Sequence, residues 1–444
     1  MTDAQLPSVK PLEWRCTTPW HGLKDLPKEI WILNGATLVN RAGTMALPFL
    51  VLYLTRTLAI SPARAALALT TYGIAALVAM PFASRLSDRL GPLAIIETSL
   101  FSSGGLLLIY PLAHDFTTIL LLTFLFGALN ESVRPPSLSI ISDRTTPAQR
   151  KPAFALNRLA INLGMSIGPA IGGVLALVSF RLLFLVDGTT SILAAAVLTL
   201  APWPYISSES SRAPELAKAS QFSDAEEFGR ELEADSIEPL ASRGPVASLR
   251  AFGNGRMLYF LAALIPVQIV FFQVTSTVPL FFVRYRRLPV SVYGLVFTVN
   301  TLIIVVLEVA LNTAMARWQH RHTLALGAIL YAVGFGSFAF VSHVPAIIAC
   351  VVIWTFGEMI FMPGSAAYVS EIAPPDRLGE YMGLYTMSFS IAFSAGPWIG
   401  AQVLERWGPT VLWAAAFGSG CLSTLLLIRV PQLAQAREDS DLPD

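Results

Sequence analysis

The sequence predicts an all-α integral membrane protein with twelve transmembrane helices in two pseudo-symmetric six-helix bundles. Of its 444 residues, 54% are hydrophobic and only 13% are charged, whereas soluble domains carry about 25% charged residues. Apolar stretches of about 20 residues, the length that crosses a bilayer core, recur along the chain. These segments must be helices, because open strands would leave backbone groups unpaired in lipid.

A set of residues recurs once in the chain, always at the same separation. The pairs are Pro135 and Pro363, Ser142 and Ser370, Asp143 and Glu371, Pro147 and Pro375, Gly168 and Gly396, Pro169 and Pro397, and Gly172 and Gly400. Both copies lie in hydrophobic sequence, so the repeat indicates two similar halves. Duplicated bundles that rock about a central site are a common architecture of secondary transporters.

The apolar stretches define the twelve predicted spans and the domain scheme. Spans 1 to 6 are placed at residues 30–55, 65–84, 93–113, 117–142, 153–178 and 181–202, and spans 7 to 12 at 257–283, 290–316, 322–342, 345–370, 380–403 and 408–430. The scheme comprises an N-terminal segment (1–29), a first bundle (30–202), a linker (203–256), a second bundle (257–430) and a tail (431–444). The linker is rich in Ser, Glu, Asp, Ala and Pro, as expected of a loose connection.

The positive charges predict the orientation of the chain. With the N-terminus inside, most Lys and Arg residues of the loops fall on the inner side, and the cluster at residues 284–287 is a local exception. This bias places both termini and the linker in the cytoplasm. We therefore expect a multi-pass protein of the plasma (cytoplasmic or inner) membrane. Because the first 25 residues are polar and contain several prolines, we do not expect them to form a cleavable signal peptide.

Several function classes find no support in the sequence. The three cysteines are far apart and have neither metal-binding nor disulfide spacing, and the five histidines form no metal set. A phosphate-binding Gly-x-x-x-x-Gly-Lys-(Ser/Thr) loop is missing. With a net charge of +1 and no basic stripe, nucleic-acid binding is not expected. We expect no enzyme and no cofactor, and as partners a small-molecule substrate, protons and the lipid bilayer.

Two motifs relate the chain to a known family. Residues 84–92 read Ser-Arg-Leu-Ser-Asp-Arg-Leu-Gly-Pro. They resemble the loop motif Gly-x-Leu-(Ala/Ser)-Asp-Arg-x-Gly-Arg-(Arg/Lys) of the major facilitator superfamily, with matches at Leu86, Asp88, Arg89 and Gly91. The resemblance implies a conformational latch formed by Asp88, Arg89 and Gly91, whose carboxylate faces a helix N-terminus. The counterpart in the second half keeps Arg317 but has Ala316 in place of the acid.

The second motif lies in span 5 and resembles the antiporter signature Gly-x-x-x-Gly-Pro-x-x-Gly-Gly of the family's drug/proton exporters. Its residues are Gly164, Gly168, Pro169, Gly172 and Gly173, and span 11 repeats it as Gly396, Pro397 and Gly400. Glycines spaced by four allow close helix approach, and proline bends the helix. The alternative is tight packing without an export role. The Arg-containing motif that the family usually carries in span 4 is not clearly present.

The ionisable residues within the predicted spans include Arg41, Glu131, Arg134, Arg158, Asp187, Glu308 and Glu358. Each costs at least about 2.5 kcal/mol near a helix centre unless it is paired or hydrated. At about 1.5 Å per residue, Arg41, Glu131 and Glu358 lie near the midplane. A midplane acid can bind a proton in one state and release it in another, because burial and a nearby Arg act in opposite directions.

We therefore predict Glu131 and Glu358 as proton-coupling groups, with Arg41 and Arg134 as counter-charges. Arg134 follows Glu131 by three residues, so the two share a helix face and could pair. The alternative is a static network of buried ion pairs. The predicted lining of the substrate cavity is Asn34, Asn40, Gln268, Gln273, Asn300, Trp354 and Phe361, although packing is the more common role of any single one of them.

Together these features favour a secondary transporter that works by alternating access. The predicted activity is proton-coupled efflux of small apolar or amphipathic molecules. Uptake or facilitated diffusion of a polar metabolite is an alternative, as is a membrane receptor or scaffold without transport. A monomer suffices, because two bundles of one chain enclose one cavity.

Overall fold

A computed structural model describes residues 23–203, 254–315, 318–374 and 377–430. Most of the predicted N-terminal segment and linker, and all of the tail, lie outside these residues, and those domain boundaries stay predictions. The described chain is helical, and it contains eleven helices long and apolar enough to cross a membrane. The last, Leu378–Ile428, has 51 residues and a non-helical Gly408 with φ 81°. At about 1.5 Å per residue it is too long for one crossing, so its two parts are spans 11 and 12.

The twelve spans follow the predicted order. In the first bundle, span 1 comprises Lys28–Gly43 and Ala46–Arg56, span 2 is Pro62–Leu90, span 3 is Pro92–Ile109, span 4 comprises Phe116–Glu131 and Arg134–Asp143, span 5 is Pro147–Val178 and span 6 is Phe180–Leu200. In the second bundle, span 7 comprises Gly255–Phe271 and the short segments Phe272–Thr275, Thr277–Leu280 and Phe281–Tyr285, span 8 is Val290–Ala314, span 9 is His320–Gly336 with Ser337–Ala339, and span 10 is Val344–Ile372.

Local sequence explains where several spans begin. Ser61 accepts a hydrogen bond from the Arg64 backbone at the start of span 2, where Pro62 occupies the first turn. Proline fits there because first-turn N–H groups have no helical partner. At the start of span 4, the Asp115 carboxylate accepts from the Thr118 backbone N–H at 2.8 Å, and hydrogen bonds from Thr118 lower the pKa of Asp115.

Span 1 is interrupted in the middle of the membrane. Its first helix ends at Gly43 and its second begins at Ala46. Asp187 of span 6 accepts hydrogen bonds from the backbone N–H groups of Met45 at 3.1 Å and Ala46 at 2.9 Å. The side chain is only 3% exposed, so these bonds hold a buried carboxylate at a helix N-terminus, where backbone N–H groups favour an anion.

The two bundles meet along two helix pairs, span 5 with span 8 and span 2 with span 11. Glycine permits the first contact, because a Cβ added at Gly294 of span 8 would lie less than 3.0 Å from the carbonyl oxygen of Pro169. Gly173 of span 5 likewise faces the Ser291 and Gly294 backbone. The backbones of spans 5 and 8 are therefore in direct contact across the bundle interface.

The other repeated glycines pack within their own bundles. Gly164, Gly168 and Gly172 of span 5 lie against residues 41–49 of span 1, around its interruption. Gly396 and Gly400 lie against Ile269 and Gln273 of span 7. In each half, the glycines of the repeated motif therefore pack the fifth helix of the bundle against its first helix: span 5 against span 1, and span 11 against span 7.

Candidate functional site

A cavity of about 610 Å³ lies within the first bundle. Residues of spans 1, 3, 4, 5 and 6 line it, and its polar lining comprises Thr37, Asn40, Arg41, Glu131, Arg134, Ser137, Asn157 and Arg158. A volume of this size suits a ligand of drug-like dimensions. Arg41, Glu131 and Arg134, which the sequence analysis grouped as one charged set, all line this cavity.

The cavity belongs to one half of the membrane. We call the side where span 1 begins, at Lys28, the near side and the side where it ends, at Arg56, the far side. The cavity residues of span 1 lie at positions 33–41, before its interruption, and those of span 4 lie at 131–138, towards its near-side end. The cavity therefore occupies the near half of the first bundle.

The far side is closed by contacts between the bundles. The hydroxyl of the buried Tyr293 lies 3.1 Å from the Pro48 carbonyl of span 1 and 2.9 Å from the Val274 carbonyl. Its ring packs edge-on against Phe49, with 5.0 Å between centroids. Further out, the Glu405 carboxylate accepts from a span 2 backbone N–H at 2.9 Å. A cavity in the near half and a sealed far side are what one end state of a rocking-bundle mechanism requires.

Glu131 has a different partner from the one predicted. Its carboxylate accepts a hydrogen bond from the Tyr72 hydroxyl at 2.7 Å, and that hydroxyl accepts from the Asn130 amide at 2.7 Å. Within the described chain it forms no ion pair with Arg134, so the predicted pairing is wrong. Glu131 ends one helix and Arg134 begins the next, and Pro135 has no N–H to donate to the Glu131 carbonyl. The linking residues Ser132 and Val133 keep helical dihedrals.

The two predicted counter-charges lack a carboxylate partner. Across the described ranges, the ion pairs within 4.0 Å join Arg158 with Glu308, His320 with Glu371 and Arg377 with Glu380. Arg41 and Arg134 belong to none of these pairs, although both line the cavity. Guanidinium groups keep their charge in proteins, so the cavity lining carries two guanidinium charges outside these ion pairs. The charge of Arg41 also acts on the Asp187 carboxyl group of span 6, which does not line the cavity.

Glu358 lies in the second bundle and does not line the cavity. Its carboxylate accepts from the Asn300 amide at 2.8 Å, and the same amide donates to the Thr355 hydroxyl at 3.1 Å. Spans 8 and 10 supply this set. The hydrogen-bond donor of Glu358 is therefore a neutral side chain.

An ion pair between the bundles joins Arg158 of span 5 with Glu308 of span 8. The Arg158 side chain is 59% exposed and that of Glu308 13% exposed. Nearby, the Thr298 hydroxyl donates to the Ser166 carbonyl at 3.4 Å across the same interface. The sequence analysis identified both charges but not their pairing.

The residues predicted to line the cavity are distributed between several environments. Asn40 lines it, and its amide donates to Ser191 at 3.0 Å. Asn34 accepts from Asn157 at 2.9 Å. The remaining members lie in the second bundle: Gln268 donates to Ser388 at 3.1 Å, Gln273 to the Gly396 carbonyl at 2.8 Å, Asn300 binds Glu358, and Trp354 and Phe361 are buried beside Phe335 and Tyr331. Of the predicted set, Asn40 is the member that lines the cavity of the first bundle.

The predicted latch lies at the near-side end of span 2. Asp88 and Arg89 are exposed there. Gly91 has φ 87° and connects spans 2 and 3, a backbone conformation that favours glycine. The counterpart in the second half, Ala316 and Arg317, lies outside the described residues. The latch role stays a prediction.

Comparisons with known proteins identify the class. The sequence profile of the Major Facilitator Superfamily matches residues 33–292 and 286–441. The chain therefore belongs to this superfamily of membrane transporters, which confirms the predicted family and fold class. The uncharacterized MFS-type transporter YqjV of Bacillus subtilis (strain 168) is 25% identical over 422 residues, which cover 93% of this chain and 94% of that protein.

Two further similarities are to a resistance protein and to a solved structure. The quinolone resistance protein NorA of Staphylococcus aureus is 28% identical over 150 residues, covering 34% of this chain and 38% of NorA. The crystal structure of a D-xylose–proton symporter superposes with a TM-score of 0.70 at 14% identity, covering 91% of this chain and 97% of that one. At this identity the structural similarity establishes the fold alone.

Proposed function

We propose that this chain is a proton-coupled transporter that exports small apolar or amphipathic molecules by alternating access. The main support for the proposal is the environment of Glu358. Its carboxyl group lies in an apolar span, and its hydrogen-bond donor is the neutral amide of Asn300. A carboxylate in the membrane is costly, and among the described residues no Arg or Lys forms an ion pair with Glu358 to offset that cost. Such a group can take up a proton in one conformation and release it when the bundles rock.

Alternating access is supported by the arrangement of the two bundles. The cavity lies in the near half of the first bundle, and the far side is sealed around Tyr293. The close backbone contact between Gly294 and Pro169 lies on the sealed side. A rocking motion that opens this contact would expose the midplane to the far side.

Export is supported by the glycine motif of span 5 and by the resemblance of part of the chain to a resistance protein. The bias of Lys and Arg in the loops supports a near side that faces the cytoplasm in the plasma or inner membrane. In that orientation the present conformation is the one that receives substrate from the cytoplasm. We propose a monomer, since one chain supplies both bundles.

The proposal is tested with purified protein in liposomes that contain a pH-sensitive dye. A panel of lipophilic cations, amphipathic acids, neutral antibiotics and sugars is added one at a time across an imposed pH gradient. The wild-type protein is expected to move protons when a substrate is added. Glu358→Gln is expected to abolish this coupled flux, because the amide cannot exchange the proton.

Glu29→Gln is the matched control, since Glu29 lies in the first turn of span 1 and outside the cavity lining. It should retain the coupled flux. Glu131→Gln is compared in parallel to show which acid carries the proton. Coupled flux that persists in Glu358→Gln and in Glu131→Gln would contradict proton coupling through these acids, and proton movement in the same direction as substrate would indicate uptake instead of export.

A further inference from the structure

The charges of the cavity are unbalanced. Three guanidinium groups line it, those of Arg41, Arg134 and Arg158, against the single carboxylate of Glu131. Arg158 is paired with Glu308 of the second bundle. Arg41 and Arg134 therefore outnumber the one remaining carboxylate, and the cavity is positive.

The carboxylate of Glu131 does not neutralise these two cations directly. One of its oxygens accepts from the Tyr72 hydroxyl at 2.7 Å, and among the described residues it forms no ion pair within 4.0 Å with either guanidinium group. Arg41 comes from span 1 and Arg134 from span 4, so the two guanidinium groups approach the cavity from different helices. A charge in a bilayer requires a partner or water, and a bound anion would supply that partner.

The remaining wall of the cavity is apolar. Spans 1, 3 and 5 contribute Leu33, Ile96, Leu100, Phe154, Ile161 and Met165. A ligand that fills about 610 Å³ would contact these side chains with most of its surface. The wall thus suits a hydrocarbon or aromatic body, and the guanidinium groups suit an acidic group at one end.

We propose that the cavity binds amphipathic organic anions, with Arg41 and Arg134 holding the carboxylate or a similar oxyanion of the substrate. Guanidinium groups match the geometry of a carboxylate and form charge-assisted hydrogen bonds with it. The inference rests on the proposed transport function and narrows its substrate class. It also separates two roles: the first bundle binds the anion, and Glu358 of the second bundle handles the proton.

The test measures binding, not transport, so that it can fail independently of proton coupling. Full-length protein in lipid nanodiscs is titrated with 2-naphthoate, with neutral 2-naphthamide and with cationic 2-naphthylmethylammonium, and empty nanodiscs give the background. We expect naphthoate to bind at least about tenfold more tightly than the amide, a difference of about 1.4 kcal/mol, and the cation to bind most weakly. High salt should reduce the preference.

Arginine variants test whether the preference for naphthoate over naphthamide depends on the cavity residues. Arg134→Gln and Arg41→Gln should each reduce naphthoate affinity several-fold, while naphthamide affinity stays the same. Arg134→Lys keeps the charge and should retain part of the preference for naphthoate. Arg64→Gln is the control, because Arg64 is exposed and lies over the Phe116 ring at 4.5 Å, outside the cavity. Gel-filtration profiles verify folding.

Three outcomes would overturn the inference: equal affinity for naphthoate and naphthamide, tighter binding of the cation, or no naphthoate binding at millimolar concentration. A preference that Arg64→Gln reduces as much as Arg134→Gln would overturn it too, because general surface charge would then explain the result. Substrate-driven proton flux that is intact alongside any of these outcomes would leave the transport proposal standing and reject only the anionic substrate class.

Discussion

The contact between spans 5 and 8 gives a sharp prediction about conformational equilibrium. Gly294→Ala adds a methyl group less than 3.0 Å from the carbonyl oxygen of Pro169. Because real Cβ atoms essentially never approach another atom so closely and the opposing atom is backbone, the two helices must separate. Gly105→Ala of span 3 is the matched control, since a Cβ at that glycine would meet nothing within 4 Å.

Overpacking of this kind costs about 1–3 kcal/mol. The cost falls on the conformation in which the far side is sealed, because the two backbones meet there and a rocking motion that opens the far side would separate them. A differential of this size shifts a two-state equilibrium by about 5- to 150-fold. Gly294→Ala is therefore expected to favour the conformation that opens to the far side, in which the near-side cavity closes.

The assay is alkylation of a single cysteine at Ser137, which lines the cavity. The native cysteines Cys16, Cys350 and Cys421 are first replaced by Ala. In nanodiscs, Gly294→Ala should slow the reaction of the Ser137→Cys thiol with a hydrophilic maleimide at least about fivefold, whereas Gly105→Ala should leave the rate unchanged. Equal rates in the two folded variants would refute the assignment of the glycine contact to one end state.

Two further predictions follow from the buried charges. Asp187→Ala leaves the N–H groups of Met45 and Ala46 without their acceptor; we expect a loss of about 1–3 kcal/mol and a lower melting temperature, and Asp187→Asn, which keeps one acceptor oxygen, should lose less. An Asn variant that melts as low as the Ala variant would argue against the hydrogen-bond explanation. Arg158→Ala should cost at most about 1 kcal/mol, because Arg158 is largely exposed, and the exchange of Arg158 and Glu308 should recover stability in a double-mutant cycle. Additive effects of the two single changes would show that the pair does not stabilise the bundle interface.

The overall architecture could be predicted, because the sequence repeat indicates two similar bundles and the length of the apolar segments indicates membrane-spanning helices. The constant separation between Gly168 and Gly396 indicates two equivalent bundles, and in the structure each of these glycines packs on the first span of its own bundle. Spans 11 and 12 meet at a kink at the non-helical Gly408. Length and composition by themselves count these two spans as one and give eleven helices among the described residues. The hydropathy pattern and the sequence repeat together therefore predict most of the fold.

The details of the site were harder to predict, since they depend on how separate spans pack. Residues 44–45, where span 1 is interrupted, contain neither proline nor glycine, and the carboxylate that holds the break comes from Asp187, far along the chain. The predicted pairing of Glu131 with Arg134 was wrong, because sequence spacing does not show that the Tyr72 hydroxyl of another span lies within hydrogen-bond distance of the Glu131 carboxylate. The Arg158–Glu308 pair had a signal in the sequence, since both charges lie at a similar depth nearer the predicted cytoplasmic side.

The most direct test of the central claim measures both sides of the protein while Glu358 is protonated and deprotonated. Spin labels at Leu90 and Trp318 report on the near side, and labels at Arg56 and Arg284 report on the far side; all four positions are exposed. The distance within the near-side pair and the distance within the far-side pair are measured by double electron–electron resonance across a pH series, in wild-type protein and in Glu358→Gln. Proton-coupled alternating access predicts that one distance grows as the other shrinks with pH, and that Glu358→Gln stays at one extreme. Distances that do not change with pH, or that change alike in wild type and Glu358→Gln, would contradict it.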